Sequence, residues 1–420
     1  MTRLRRLLLV VASAALLVVC FLDIDSPGDY TGFVAFGHAV NDGALIYDPA
    51  VQAQYHDVDF TWATWPPGFV PLASALARAD GIAHAPAVVL FRLLNLAALV
   101  IALFVMVQWL TGRRPLASDP ERRIAWDAPV IAIGLLIPIR LVMSDFEHTQ
   151  MNLIVLGLII LGVRLLESRN WMGGLLIGLG SALKATPILL LPYFIWRGRW
   201  RAFGATMLGI FVGWVALPAL WLGPDAIIVW WRAWIEALPL ASAQDGWMNQ
   251  SLRATAVRIL GPEVGIVAWI AGALLLAIGI LIAFGRPFRQ VGSRRTATEV
   301  ATLLVAITFV SPVSWKAHYV TLVVLCAAVF VMAQEADKSH RKFALWGLAI
   351  VAAGLNLSSE NFIGWDAGEL MQHYGIIAWS GLLLVVISLG LLYRDRAANA
   401  TRPPPDSRTA RSCPSSHQCP

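Results

Sequence analysis

Runs of about 20 apolar residues recur along the chain, and no other feature limits its possible folds as strongly. A helix of that length crosses the hydrocarbon core of a bilayer with all its backbone groups hydrogen-bonded. Only 14% of the 420 residues are charged, against about a quarter in an ordinary soluble domain. The sequence therefore predicts an all-α integral membrane protein that crosses the membrane many times.

Most of the 32 Lys and Arg residues lie in short polar segments between the apolar runs. Short basic loops stay in the cytoplasm, so these segments place both termini on the cytoplasmic side of the plasma (inner) membrane. The net charge of +6 is then a consequence of topology and does not indicate a nucleic-acid partner. The predicted spans number about 12. They lie near 5–24, 86–110, 124–143, 150–167, 172–184, 186–196, 203–222, 263–284, 298–313, 316–334, 342–358 and 375–393.

The region around Ala185 can be interpreted in two ways. One longer helix over 172–196 fits the hydropathy as well as two short helices, but it would invert the orientation of everything before it. We predict the break, which keeps Arg113 to Arg123 inside. Residues 1–393 then form one polytopic membrane domain, and the Pro-, Ser- and Arg-rich residues 394–420 form a disordered cytoplasmic tail.

Two large segments are predicted on the outer face, at 25–85 and 223–262. From Leu7 to Ala77 the chain has no Lys or Arg but several Asp residues. Within this segment, the spacing of Phe33, Phe36 and Val40 predicts a short interfacial helix, and a second is predicted to begin at Trp65 and its two prolines. The second large segment is rich in Trp and contains Arg253 and Arg258.

Acidic residues on the outer face beside a few cations outside the basic loops suit a glycosyl transferase that uses a lipid-linked donor, and composition alone leaves a transporter equally plausible. A carboxylate can take the proton from an acceptor hydroxyl, and a cation can hold the departing phosphate, so no metal or other cofactor is required. A polyprenyl-phosphate-sugar transporter or flippase is the alternative, because intramembrane charges also mark transport pathways. A lipid-glycan ligase of unrelated topology is the other enzymatic possibility.

Several motifs, in order, resemble those of glycosyltransferase family 87. They are Asp29-Tyr30-Thr31-Gly32-Phe33, Thr64-Trp65-Pro66-Pro67, Thr149-Gln150-Met151-Asn152, Gly178 to Lys184-Ala185-Thr186-Pro187, Asn249-Gln250-Ser251-Leu252 and Ser311-Pro312-Val313-Ser314-Trp315 with His318. Thr149 stands where the family usually has Gly. The resemblance implies a GT-C fold and an inverting transfer of a sugar, best known as mannose, from a polyprenyl-phosphate donor. It also implies a glycolipid or glycan acceptor, membrane-lipid partners and an extracytoplasmic active site.

Asp29 and His318 are the catalytic residues that the resemblance implies. Asp29 would be the general base, with Asp57 and Asp59 as alternatives, although an Asp after Ser26-Pro27-Gly28 also suits a helix-capping turn. His318 would bind the donor phosphate or the sugar, or assist proton transfer. An interfacial His that is satisfied by water is the other interpretation.

Lys184 is the first candidate to bind the donor phosphate, because a Lys between two short apolar helices is costly unless it is paired or solvated. The alternative is that it snorkels to the outer headgroups. Further phosphate candidates are Arg253, Arg258 and Lys316, each of which could instead pair with a nearby acidic residue. The sugar or acceptor candidates are Gln150, Asn152, Asn249, Gln250, Trp65 and Trp315; an aromatic belt at the interface would equally explain the two Trp residues.

Overall fold

A computed structural model describes residues 17–22, 24–25, 28–55, 65–112, 128–168, 170–288 and 291–401. Across these ranges the regular structure is helical, and the one isolated β-bridge joins Asn249 to Trp315. The predicted all-α class is therefore confirmed for the described part of the chain. Most of the span predicted near 5–24 and the tail beyond residue 401 lie outside the described residues, as do Asp57 and Asp59.

The α-helices are numbered here in chain order. The first ten are α1 (Asp29–Asn41), α2 (Pro49–Tyr55), α3 (Val70–Ile82), α4 (His84–Thr111), α5 (Ala128–Leu136), α6 (Ile139–Glu147), α7 (Asn152–Leu165), α8 (Asn170–Leu183), α9 (Leu191–Trp196) and α10 (Trp200–Phe211). The second ten are α11 (Leu217–Leu222), α12 (Pro224–Ser242), α13 (Leu252–Leu260), α14 (Pro262–Phe284), α15 (Ser293–Val310), α16 (Leu322–Glu335), α17 (Lys338–Asn356), α18 (Glu360–Ile363), α19 (Trp365–His373) and α20 (Ile376–Thr401). Short 3-10 helices cover Pro67–Phe69, Thr186–Leu190 and Lys316–Thr321, and a π-helix covers Val212–Ala216.

Helices long and apolar enough to cross a bilayer make this a multi-pass membrane protein. The described residues contain 5 of them: His84–Thr111, Trp200–Leu222, Pro262–Phe284, Lys316–Glu335 and Ile376–Arg396. The pair α5 and α6, bent by 61°, makes a sixth if it is one span. This is fewer than the spans predicted, because most of the range 5–24 lies outside the described residues and other predicted ranges form helices that are shorter or less apolar. Helix α7, with 14 residues, is about 21 Å long, less than a hydrocarbon core of about 30 Å.

The predicted break at Ala185 is present. Helix α8 ends at Leu183, and a 3-10 helix with Pro187 in its first turn follows before α9 begins. Proline is accommodated there because the first turn leaves its backbone N–H groups unbonded anyway. Lys184 therefore stands at a gap between helices rather than on a continuous span.

Both helices predicted in the first outer segment are present as α1 and α3, and they pack against each other. Their shared core is aromatic: the ring centroid of Phe33 lies 5.0 Å from that of Trp65 and 5.4 Å from that of Phe69. Edge-to-face contacts of this kind stabilise a cluster beyond the burial of its area. The cluster fixes Trp65 against the first turns of α1.

Basic residues hold together the end of the helix bundle that lies away from Lys184 and the aromatic cluster. Arg294, at the start of α15, donates to the Leu110 carbonyl at the end of α4 and pairs with Glu335 at the end of α16. Arg197, after α9, forms a buried ion pair with Glu299. The last helix extends to Thr401, so the first residues of the predicted tail are helical.

Candidate active site

A cavity of about 340 Å³ opens among the ends of α1, α7, α8 and α15 and the segment before α16. Its wall has a polar region and an apolar one. The apolar wall contains Val155, Leu156, Ile159, Leu304 and Ile307. The predicted site residues that line the cavity are Asp29, Trp65, Gln150, Asn152, Lys184, Trp315 and His318.

Asp29 is held at the cavity by a glycine and a carbonyl. Gly28 has φ +58°, a conformation that L side chains rarely adopt, and a Cβ there would lie 2.8 Å from the Cα of His148. The Asp29 N–H donates to the His148 carbonyl at 2.9 Å, and the Gln150 side-chain amide donates to the Asp29 carboxylate. The turn before α1 therefore holds the Asp29 carboxylate against the loop that carries His148 and Gln150.

The loop that carries Gln150 is braced from α4. Thr149 has φ +47°, which explains why glycine suits this position. The Arg92 Nε–H donates to Thr149 Oγ1 at 2.9 Å, and Asn95 Nδ2 donates to the Gln150 carbonyl at 2.7 Å. Arg92 is 1% exposed and does not line the cavity, so its role in this structure is to hold the loop.

Lys184 contacts two other polar side chains of the cavity wall. Its Nζ lies 2.5 Å from Asn152 Oδ1 and 2.6 Å from His318 Nε2. The His318 ring is nearly parallel to that of Trp315, with centroids 5.9 Å apart. Among the described residues that line the cavity, Lys184 is the only Lys or Arg, so it is the one fixed positive charge available to a bound phosphate.

Burial makes the Asp29 carboxyl a stronger base than a surface Asp. Loss of solvation raises its pKa to about 6, and the positive charge of Lys184 opposes part of that rise. A carboxylate with this pKa is still ionised at neutral pH but accepts a proton more readily than an ordinary Asp. This is the property required of a general base for a hydroxyl group.

Asn249 and Gln250 lie behind the cavity wall and not on it. Asn249 Nδ2 donates to the Gln244 carbonyl at 2.6 Å, while its Oδ1 accepts from the Ser314 N–H at 2.9 Å. Gln250 Nε2 donates to the carbonyls of Trp247 and Gln372, both at 2.7 Å. Asn249 thus joins the loop before α13 to the segment that carries Trp315, and Gln250 joins it to α19.

The other predicted phosphate-binding cations are also absent from the cavity wall. Arg253 pairs with Asp245 at 2.5 Å, as the alternative interpretation allowed. Arg258 donates to the carbonyls of Asn249 at 2.7 Å and His373 at 2.9 Å. Lys316 is half-buried in the 3-10 helix that precedes α16.

Asp145 belongs to the polar cluster although no motif contains it. Its side chain is buried in α6, and its Oδ1 accepts from Asn152 Nδ2 at 2.8 Å. In the sequence it lies in the short segment between the spans predicted near 124–143 and 150–167, close to Glu147 and His148. A polar residue in such a connecting segment needs no special explanation, so the sequence does not single it out.

The model of the family described as glycosyltransferase family 87 matches residues 63–312. The chain belongs to this family. It is therefore a glycosyltransferase, and the match includes Gln150, Asn152 and Lys184, whereas Asp29 and His318 lie outside the matched range.

Curated relatives of this family 87 enzyme come from mycobacteria. A polyprenol-phosphate-mannose-dependent alpha-(1-2)-phosphatidylinositol pentamannoside mannosyltransferase of Mycolicibacterium smegmatis is 27% identical over 310 residues, covering 70% of this chain and 68% of the relative. A phosphatidylinositol mannoside mannosyltransferase of the same organism is 28% identical, covering 77% and 72%. One from Mycobacterium tuberculosis is 30% identical, covering 61% and 59%. No solved structure matches the chain significantly.

Proposed function

We propose that this family 87 enzyme transfers mannose from a polyprenyl-phosphate donor to a glycolipid or glycan acceptor on the extracytoplasmic face, with the GT-C fold. One observation carries the proposal: the described residues that line the cavity include one carboxylate, Asp29, and one Lys or Arg, Lys184, beside an apolar wall. The names of the relatives support the donor and the acceptor class, since they specify polyprenol-phosphate-mannose and phosphatidylinositol mannosides.

The two regions of the cavity match the two parts of such a donor. The phosphate would bind Lys184, which already directs its ammonium into the polar region. The first isoprene units would lie along the apolar wall, which follows α7 from Asn152 to Ile159, a rise of about 10 Å. Trp65 and Trp315 line the same cavity and offer flat faces to the mannose ring.

Asp29 would act as the general base. It takes the proton of the acceptor hydroxyl as that oxygen bonds to the anomeric carbon, and the bond from that carbon to the phosphate oxygen breaks with its electron pair on the phosphate. Lys184 stabilises the negative charge that develops on the leaving polyprenyl phosphate. Attack from the face opposite the phosphate inverts the configuration at the anomeric carbon.

The two ends of the bundle support the proposed orientation. The cavity lies where α7 begins and α8 ends, whereas Arg197, Arg294 and their acidic partners tie the other end together. Since basic segments stay in the cytoplasm, the cavity would face outward and both termini inward.

The test is sugar transfer by purified protein given synthetic polyprenyl-phosphate mannose and a mannosylated phosphatidylinositol acceptor. We expect the wild type to consume donor and form a new glycolipid, and Asp29→Asn to lose about 10²- to 10⁴-fold in rate. Asp42→Asn is the matched control, because Asp42 is exposed at the end of the same helix and outside the cavity. Flipping of intact donor between vesicle leaflets without product would instead indicate a transporter.

A further inference from the structure

Asp145 lies one layer behind the polar wall of the cavity. Its side chain is 1% exposed and does not line the cavity, so it cannot touch a bound substrate. It nevertheless contacts Asn152, which does line the cavity and which in turn contacts Lys184. The three side chains form a continuous series of contacts from the buried side chain of Asp145 to the ammonium of Lys184 at the cavity surface.

The contact with Asp145 determines the orientation of the Asn152 amide. An ionised carboxylate only accepts hydrogen bonds, so the Asn152 group at 2.8 Å from Asp145 must be its NH₂. The amide oxygen then faces the other way, 2.5 Å from the Lys184 ammonium, which only donates. If the amide were turned over, its NH₂ would face the ammonium and the contact with Lys184 would be repulsive.

Charge acts in the same direction. The Asp145 carboxylate attracts the Lys184 ammonium electrostatically through the amide that separates them. In a poorly solvated site such an attraction is screened little, and it favours one position of a flexible lysine side chain.

We propose that Asp145 is a positioning residue that acts through Asn152 to fix Lys184 as the binding site for the donor phosphate. The inference deepens the proposed function and rests on it for the identity of the ligand. It also gives Asn152 a different task from the predicted binding of a sugar: its amide oxygen is used by Lys184.

A purely structural role for Asp145 would be to cap a helix. The backbone N–H groups of Asn152 and Leu153, in the first turn of α7, also interact with its carboxylate. Asn caps helices about as well as Asp does. The Asp145→Asn variant therefore keeps the capping function while it removes the charge and the requirement that fixes the Asn152 amide.

The first experiment measures binding of polyprenyl phosphate and donor kinetics for wild type, Asp145→Asn and the exchange variant Asp145→Asn/Asn152→Asp. For Asp145→Asn we expect an unfolding temperature close to that of the wild type, a roughly tenfold or greater rise in the Kd for polyprenyl phosphate and an unchanged KM for the acceptor. The exchange variant restores a carboxylate beside Lys184 and should recover part of the lost affinity. Asp366→Asn, at an exposed position on α19, should behave as wild type.

Wild-type affinity in Asp145→Asn, or an exchange variant no better than the single one, would overturn the proposal. Asn152→Ala provides a second route if an Asp145 variant unfolds. Because Asp145 acts largely through Asn152, the double variant Asp145→Asn/Asn152→Ala should lose less affinity than the product of the two single losses. Losses that multiply would show that the residues act independently.

A readout without donor separates this inference from the proposed function. Acetylation of Lys184 by an amine-reactive reagent is followed by mass spectrometry. Its rate should rise several-fold in Asp145→Asn, because a lysine that loses a neighbouring anion is more often neutral. If the wild type neither binds polyprenyl phosphate nor consumes donor, the proposed function fails. The Lys184 reactivity still decides whether Asp145 controls that lysine, and an unchanged rate would refute it.

Discussion

The Nε2 atom of His318 lies 2.6 Å from the Nζ atom of Lys184, so the imidazole is the acceptor of a hydrogen bond from an ammonium group. An ammonium has no lone pair to offer, and therefore Nε2 carries no proton. A backbone hydrogen bond to Val313 accounts for another polar contact of the same ring. In this arrangement His318 orients the lysine, and among the described residues that line the cavity Asp29 is the only carboxylate.

Replacement of His318 should therefore impair the donor site more than proton transfer. His318→Ala removes an acceptor from a charged donor, a loss of ~1.5–3 kcal/mol, which corresponds to about 10- to 150-fold in kcat/KM for the donor. His318→Gln provides an amide oxygen and should lose less. Kinetics with varied donor and fixed acceptor measure this; equal losses in both variants would show that a function specific to imidazole is required.

The pH dependence should reveal the ionisation of Asp29. Burial raises its pKa to about 6, so the carboxyl is protonated below that pH and no base is available. The kcat/KM should therefore be constant near neutral pH and fall about tenfold for each unit below pH 6. The residual activity of Asp29→Asn should lack this acid limb. A fall centred near pH 4 in the wild type would indicate a solvated carboxyl as the base.

Gly28→Ala should displace Asp29. The variant has two costs, a positive φ for an L residue and a contact of 2.8 Å between its Cβ and the His148 Cα. Gly43→Ala has only the first, because Gly43 has φ +76° and nothing lies within 4 Å of its Cβ position. We expect Gly43→Ala to lose ~1–2 kcal/mol of stability and Gly28→Ala to lose more, and Gly28→Ala alone to lose about 10²-fold in rate. Equal activities would refute a positioning role for Gly28.

Gly178→Ala should separate α8 from α10. A Cβ at Gly178 would lie 1.9 Å from the carbonyl carbon of Gly209, so the backbones themselves must move. The expected loss is ~1–3 kcal/mol, the usual effect of overpacking a tight contact. Gly204→Ala, also on α10 but with nothing within 4 Å, should be neutral or slightly stabilising because Ala favours helix. Thermal unfolding in detergent compares the two variants.

Much of the fold can be predicted because it depends on local sequence. Apolar runs determine the long helices, and the proline that follows Lys184 marks the start of a new helix. The positions of Asp29, Gln150 and Lys184 near the same end of the bundle follow from alternating helix directions, and the structure brings these three residues to one cavity.

Side-chain partners cannot be predicted in the same way because they belong to other helices. Asp145, near the end of α6, contacts Asn152 across the turn that leads into α7, and this pair meets Lys184 from the end of another helix, α8. Asn249 carries a motif that fits a sugar ligand equally well, but its amide is used by backbone groups of a distant segment, including the Ser314 N–H. Residue type alone does not distinguish these two uses of an amide.

The gap between α8 and α9 has a consequence for the reaction's fidelity. Backbone without a helical partner at membrane depth is tolerated only where it is buried in protein or lines a wetted space. Thr186, just past the gap, is exposed and lines the cavity, so the cavity is open to solvent at this point. Water is itself a nucleophile, and Asp29 would deprotonate it as readily as a sugar hydroxyl. The acceptor must therefore also exclude water, and an enzyme loaded with donor alone would slowly hydrolyse it.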